Sequence, residues 1–216
     1  MTISDLIFFV AEMVGIVAFA LSGAMTALKY DMDLLGIPFL AAVTALGGGV
    51  LRDLLIGRLP PVMFRDYRYL LAVVITALLV FLAARFAWKR YHLVEEKLAA
   101  IGNICDAIGL GPFVVVGIEA GISAGYGSNK FFLVFLGVIT CIGGGILRDL
   151  FVARIPGVLI KHVYALPCIL GACLYLVLIN GRVNDLAATL LVSVFIFIFR
   201  MLATHFHWNL PKARKI

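Results

Sequence analysis

The sequence predicts an all-α membrane protein of seven transmembrane helices, arranged as two inverted three-helix repeats plus a seventh helix. Three observations point there. The 216 residues are 63% hydrophobic and only 14% charged, with a mean hydropathy of +1.11, more apolar surface than a water-soluble core of this size buries. The apolar residues gather into runs near the ~20 that cross a hydrocarbon layer of about 30 Å. A fourteen-residue motif also occurs twice, ninety-six positions apart.

The predicted spans, in order, run from Leu6 to Leu28, Leu34 to Gly57, Tyr69 to Ala87, Leu98 to Ile122, Phe131 to Val152, Val163 to Ile179 and Leu186 to Leu202. Continuous runs of this kind are helical, because barrel strands would show about 10 alternating residues each. The first run has no basic segment before it and is longer than the apolar part of a cleavable signal, so it reads as a permanent span. The connections are too short for a separate soluble domain, and any working site must be built from the spans and their ends. The expected units are residues 1–92, the first three-helix repeat, residues 93–181, the second and inverted one, and residues 182–216, a seventh helix with a basic tail.

The repeat reads GGGVLRDLLIGRLP from Gly47 to Pro60 and GGGILRDLFVARIP from Gly143 to Pro156, with nine of fourteen positions identical. Upstream, Gly15, Phe19 and Gly23 face Gly109, Phe113 and Gly117, and Glu12 faces Asp106. Three spans per unit is an odd number, so the second copy enters the membrane upside down. Transport proteins built this way place the working site near the midplane, between the repeats.

Three glycines in mid-span, Gly47, Gly48, Gly49 and again Gly143, Gly144, Gly145, cost about 1 kcal/mol each in helix propensity relative to alanine. Close helix packing would offset that. Their duplication favours the other reading, a kinked or locally unwound helix whose carbonyls face a cavity and can hold a dehydrated alkali cation. After each triplet come Arg52 with Asp53, and Arg148 with Asp149. Buried ions are costly in a bilayer, so such residues pair or face water. Neighbours on a helix point about 100° apart, which predicts partners on other spans. Structural salt bridges and a direct part in permeation both remain open.

Thr44 and Thr140 precede the triplets by three residues. They either return their hydroxyls to backbone carbonyls or line the pathway. Ser22, Glu119 and Ser123 are further polar residues inside spans, and Asp106 and Glu12 are either entry-ring acids or interfacial helix-end residues; Ser22 and Asp106 join the triplets and the two threonines on the expected cation pathway.

Orientation follows from Lys and Arg, with eleven on the C-terminal side of the spans and five on the N-terminal side, which places the C-terminus in the cytoplasm and the N-terminus outside. The net charge of +6 is that of a basic face beside anionic lipid and implies no nucleic acid. Trp88 and Trp208 stand at span ends as headgroup anchors. Cys105, Cys141, Cys168 and Cys173 have no ligand spacing and read as small packing residues. His205 and His207 lack an acidic neighbour for a metal site. No nucleophile with its base, phosphate loop or H-E-x-x-H pair is present, so an enzyme is not expected.

The paired G-G-G-[VI]-L-R-D motifs, the following R-x-P, the F-A-x-S-G stretch of Phe19, Ala20, Ser22 and Gly23, and D-A-I-G-L from Asp106 to Leu110 resemble the prokaryotic branch of the trimeric intracellular cation channel family. The resemblance covers nearly the whole chain. It implies seven helices, a homotrimer, and a separate pore in each protomer permeable to potassium and other monovalent cations. Kinked second and fifth helices would line that pore at Gly47 to Gly49 and Gly143 to Gly145. No cofactor is implied beyond permeant K+ or Na+, with bound membrane lipid possible. Animal members carry a lysine-containing motif associated with phosphoinositide binding where this chain has GGG-V-L-R-D. The competing reading is a secondary transporter for a small amino acid such as glycine, since inverted repeats with broken helices serve both plans.

Overall fold

Polar side chains start the helices where the apolar runs begin. Asp33 Oδ1 accepts from the backbone N–H groups of Leu35 and Gly36, Asn129 Oδ1 from Phe132, and Asn184 Oδ1 from Leu186 and Ala187, each satisfying donors that a helix start leaves open. The computed structural model describes residues 3–86, 95–160 and 163–208. Among them the chain is all-α, with helices α1 (Ile3–Lys29), α2 (Gly36–Leu55), α3 (Val62–Arg65), α4 (Tyr67–Phe86), α5 (Glu95–Gly121), α6 (Lys130–Phe151), α7 (Gly157–Ile160), α8 (Ala165–Asn180) and α9 (Asp185–His205). A π-helical turn, Ile122–Tyr126, extends α5 and contains Gly125, whose φ of +91° suits a residue without a side chain.

Six of these helices are long and apolar enough to cross a membrane, and the protein is a membrane protein. The expected sixth span, α8, holds 16 residues. At 1.5 Å per residue it rises only about 24 Å, short of the ~30 Å hydrocarbon layer.

The helix contacts come in matched sets. α1 packs on α2 and α4 as α5 packs on α6 and α8, while α1 meets α5 and α2 meets α6 between the halves. The α1–α5 contact is reciprocal: Phe113 lies over Gly15, Phe19 lies over Gly109, and the two rings stack 5.3 Å apart. The glycines matched in sequence are therefore the floors on which each half seats the other half's phenylalanine. Helix α9 lies against α5 and α8, with Ser193 over Gly111 and Ile196 over Gly171.

The glycine triplets do not break their helices. α2 is helical from Gly36 to Leu55 and α6 from Lys130 to Phe151, through both triplets, and this corrects the expectation of local unwinding. Packing is the reason. A Cβ on Gly48 would collide with the Thr140 carbonyl, and one on Gly144 with the Thr44 carbonyl. Bare Cα atoms let the two backbones touch, which in lipid supplies the dispersion contact that holds helices together.

Candidate functional site

Each triplet places a buried charge cluster one turn further on. In the first, Arg52 Nε donates to Asp53 Oδ1 at 2.9 Å, and Arg52 Nη1 lies 3.5 Å from Glu12 Oε1 on α1. Tyr69, opening α4, donates its hydroxyl to Glu12 Oε2 at 2.9 Å. Asp53 Oδ2 accepts from the Val62 backbone N–H at 2.8 Å, which fixes the start of α3. The second cluster repeats this plan. Arg148 Nε donates to Asp149 at 3.0 Å, Arg148 Nη1 to Asp106 on α5 at 3.1 Å, Tyr164 to Asp106, and the Gly157 backbone N–H to Asp149 at 2.7 Å.

The structure amends one expectation. The arginine and aspartate of each pair do bond one another, because the long Arg side chain turns back to bring Nε against the next carboxylate, although the two Cβ directions diverge. Partners on other spans exist as well. Asp106 and Glu12 are the matched counter-ions of the two arginines, Asp106 buried among helices and Glu12 partly exposed.

Ser22 accepts from Arg148 Nη1 at 2.8 Å and so joins the second cluster from across the halves. Thr44 and Thr140 each donate to the carbonyl four residues back, Leu40 and Leu136, at 2.6 Å. That is the backbone-return reading. Thr140 also borders a cavity of about 20 Å³ beside Arg52, together with Glu12, Gly49, Asp53 and Tyr69, whereas Thr44 does not. Thr44→Val, which keeps the shape and removes only a local bond, is accordingly expected to change thermal stability by under about 1 kcal/mol, read as the melting shift of detergent-solubilised protein.

Sequence reasoning missed Tyr69, Tyr164, Arg154 and Arg200. The two tyrosines hold equivalent places at the start of the third span of each half, a signal in the repeat, but a tyrosine at a span end also fits the interfacial belt. Arg200 was counted with the flanking charges, yet it is buried, its guanidinium 4.4 Å above the Tyr164 ring. Cys105, Cys141 and Cys168 are buried packing residues, while Cys173 is exposed. Glu119 accepts from the Tyr175 hydroxyl at 2.8 Å. Trp208 sits just beyond α9 and is partly exposed, and Trp88 lies outside the described residues.

A family described as glycine transporter matches residues 9–85 and again 103–180, one match per half. A Vibrio cholerae membrane protein of the UPF0126 group is 34% identical over 94% of this chain and 81% of its own length. The Escherichia coli K12 inner membrane protein YadS is 32% identical over 93% of each chain. A solved structure described as a basis for conductance through TRIC cation channels superposes with a TM-score of 0.81 at 33% identity, over 97% of this chain and 98% of the other. The chain belongs to the trimeric intracellular cation channel family. A family member from Rhodobacter sphaeroides superposes at 0.81 with 29% identity over 92% of this chain and 97% of its own, and a prokaryotic TRIC channel solved in 0.5 M KCl superposes at 0.82 with 28% identity over 95% and 100%. All three of these structures are of ion channels.

Proposed function

We propose that the protein is a monovalent cation channel, permeable to potassium, with one pore in each protomer of a homotrimer. The observation that carries this is the whole-chain likeness to solved cation channels at TM-scores near 0.8. The geometry supports it. The second and fifth spans, α2 and α6, cross at the glycine triplets, and each then carries an arginine paired with the aspartate that follows it and with an acid from a neighbouring helix, to which a tyrosine hydroxyl donates. Opening there would part side chains without unfolding a helix, since both backbones are already satisfied. Seven spans in two inverted repeats, residues 1–92 and 93–181, with a seventh helix and tail in 182–216, would set the two clusters on opposite sides of the midplane. The protein would sit in the inner membrane with its N-terminus outside and C-terminus cytoplasmic, among membrane lipid. It would need no cofactor beyond its permeant K+ or Na+.

The second reading, a secondary transporter of a small amino acid, is favoured by the description of the matched family as glycine transporter. Purified trimer in planar bilayers distinguishes the two. The channel reading expects discrete potassium currents that persist without any amino acid. Silent bilayers, together with saturable glycine counterflow in proteoliposomes, would replace it with the transporter.

A further inference from the structure

The two clusters correspond through the repeat but are not equally made. Arg148 makes three hydrogen bonds: Nε bonds Asp149, and Nη1 bonds both Asp106 and Ser22. Arg154 adds a second cation at 2.9 Å from Asp149, and Arg200 covers the Tyr164 ring. Arg52 shares only the first of these, its Nε bond to Asp53. Val116 stands where the repeat matches Ser22, so no hydroxyl reaches Arg52 from the other half. Among the described residues Arg58, the match of Arg154, makes no ion pair with Asp53. Arg52 Nη1 faces Glu12 at 3.5 Å, beyond ordinary hydrogen-bond length, and is a buried nitrogen with no hydrogen-bond partner.

A buried charged donor without an acceptor is costly, and native structures fill such gaps with protein groups or water. The cavity of about 20 Å³ lies beside this one, and Arg52 and Glu12 both line it. That volume holds about one water, and a gap of this length between ionic partners is where a bridging water belongs.

We propose that the cavity binds a single water that accepts from Arg52 Nη1 and donates to Glu12, and that this hydrated cluster is where the bundle opens while its Arg148 twin stays fixed. The gating half rests on the channel reading. A bridged pair already has water against both charges, so parting it exposes less uncompensated charge than parting a directly bonded one. The surplus charge agrees. Glu12 and Asp53 against Arg52 leave one formal negative charge, whereas Asp106 and Asp149 are balanced by Arg148 and Arg154. A cation reaching the parted first cluster would meet net attraction.

Single-channel recordings test the asymmetry. Glu12→Gln is expected to raise open probability at least tenfold over wild type, and Asp106→Asn by less than threefold, with the exposed Leu79→Ala as a control that changes neither current nor trimer recovery. Equal gains from the two variants, or no gain from Glu12→Gln, overturn the gating. If Asp106→Asn yields no trimer, Tyr69→Phe against Tyr164→Phe makes the same comparison. The water is decided separately: a structure that orders other buried waters should show density within hydrogen-bond distance of Arg52 Nη1, and a dry cavity there overturns the site. A wild-type protein silent to every cation removes the channel reading and the gating with it, while the density still decides the water.

Discussion

Gly48→Leu is expected to leave no folded protein, and Gly48→Ala to cost about 1–3 kcal/mol or more, the range for overpacking a tight contact. The added carbon would strike the Thr140 carbonyl. That oxygen belongs to helix backbone and cannot swing aside, so α2 and α6 must separate and give up one of the two main contacts that join the halves. Gly144→Ala should cost as much, because it meets the Thr44 carbonyl in the same way. The third glycine of each triplet is different. A Cβ on Gly49 meets only Arg52 Nη2 at 3.7 Å, and on Gly145 the Tyr164 hydroxyl at 3.5 Å, both ordinary contacts. Gly49→Ala should therefore keep or improve stability, by up to about 1 kcal/mol of helix propensity. The first glycine falls between, since Gly47 and Gly143 face the movable tips of Leu147 and Leu51. Melting temperatures of the three alanine variants in detergent check the order. Equal losses at Gly48 and Gly49 would mean that the two helices do not cross at the middle glycine of each triplet.

This gradation marks the limit of what the sequence made legible. Hydropathy located α2 and α6 to within a few residues, because apolar length is written directly in composition. It overextended α8, where the run from Val163 begins before the helix does at Ala165. The repeat identified both triplets and both Arg-Asp pairs, and it paired Gly15 with Gly109 and Phe19 with Phe113. It could not say that Phe19 seats on Gly109 instead of within its own half, since a one-dimensional match fixes equivalence and not contact. The unwound-helix reading failed for a related reason: glycine in a span signals close approach or irregular backbone, and only the position of Thr140 and Thr44 decides between them. The bond between adjacent Arg52 and Asp53 was hidden by an argument from Cβ directions, which governs short side chains and not one with four torsions.

Arg148→Met is expected to be the most damaging change among the charged residues, at roughly 3–5 kcal/mol, the loss seen when one partner is taken from a buried ion pair. It strips Asp106 of its counter-ion in a place where Tyr164 supplies the other hydrogen bond, and it leaves Ser22 without its donor. Asp149 fares better because Arg154 still reaches it. The damage should therefore concentrate on Asp106, and adding Asp106→Asn to Arg148→Met should recover part of the loss by removing the stranded charge. Arg52→Met strips Glu12 and Asp53 together, but Glu12 is partly open, at 18% side-chain exposure, and its link to Arg52 is long, so the loss should be smaller. A double-mutant cycle over Arg148 and Asp106, set beside one over Arg52 and Glu12, measures both couplings directly. Coupling between Arg52 and Glu12 equal to or larger than that between Arg148 and Asp106 would show that the extra bonds around Arg148 do not make it the firmer of the two.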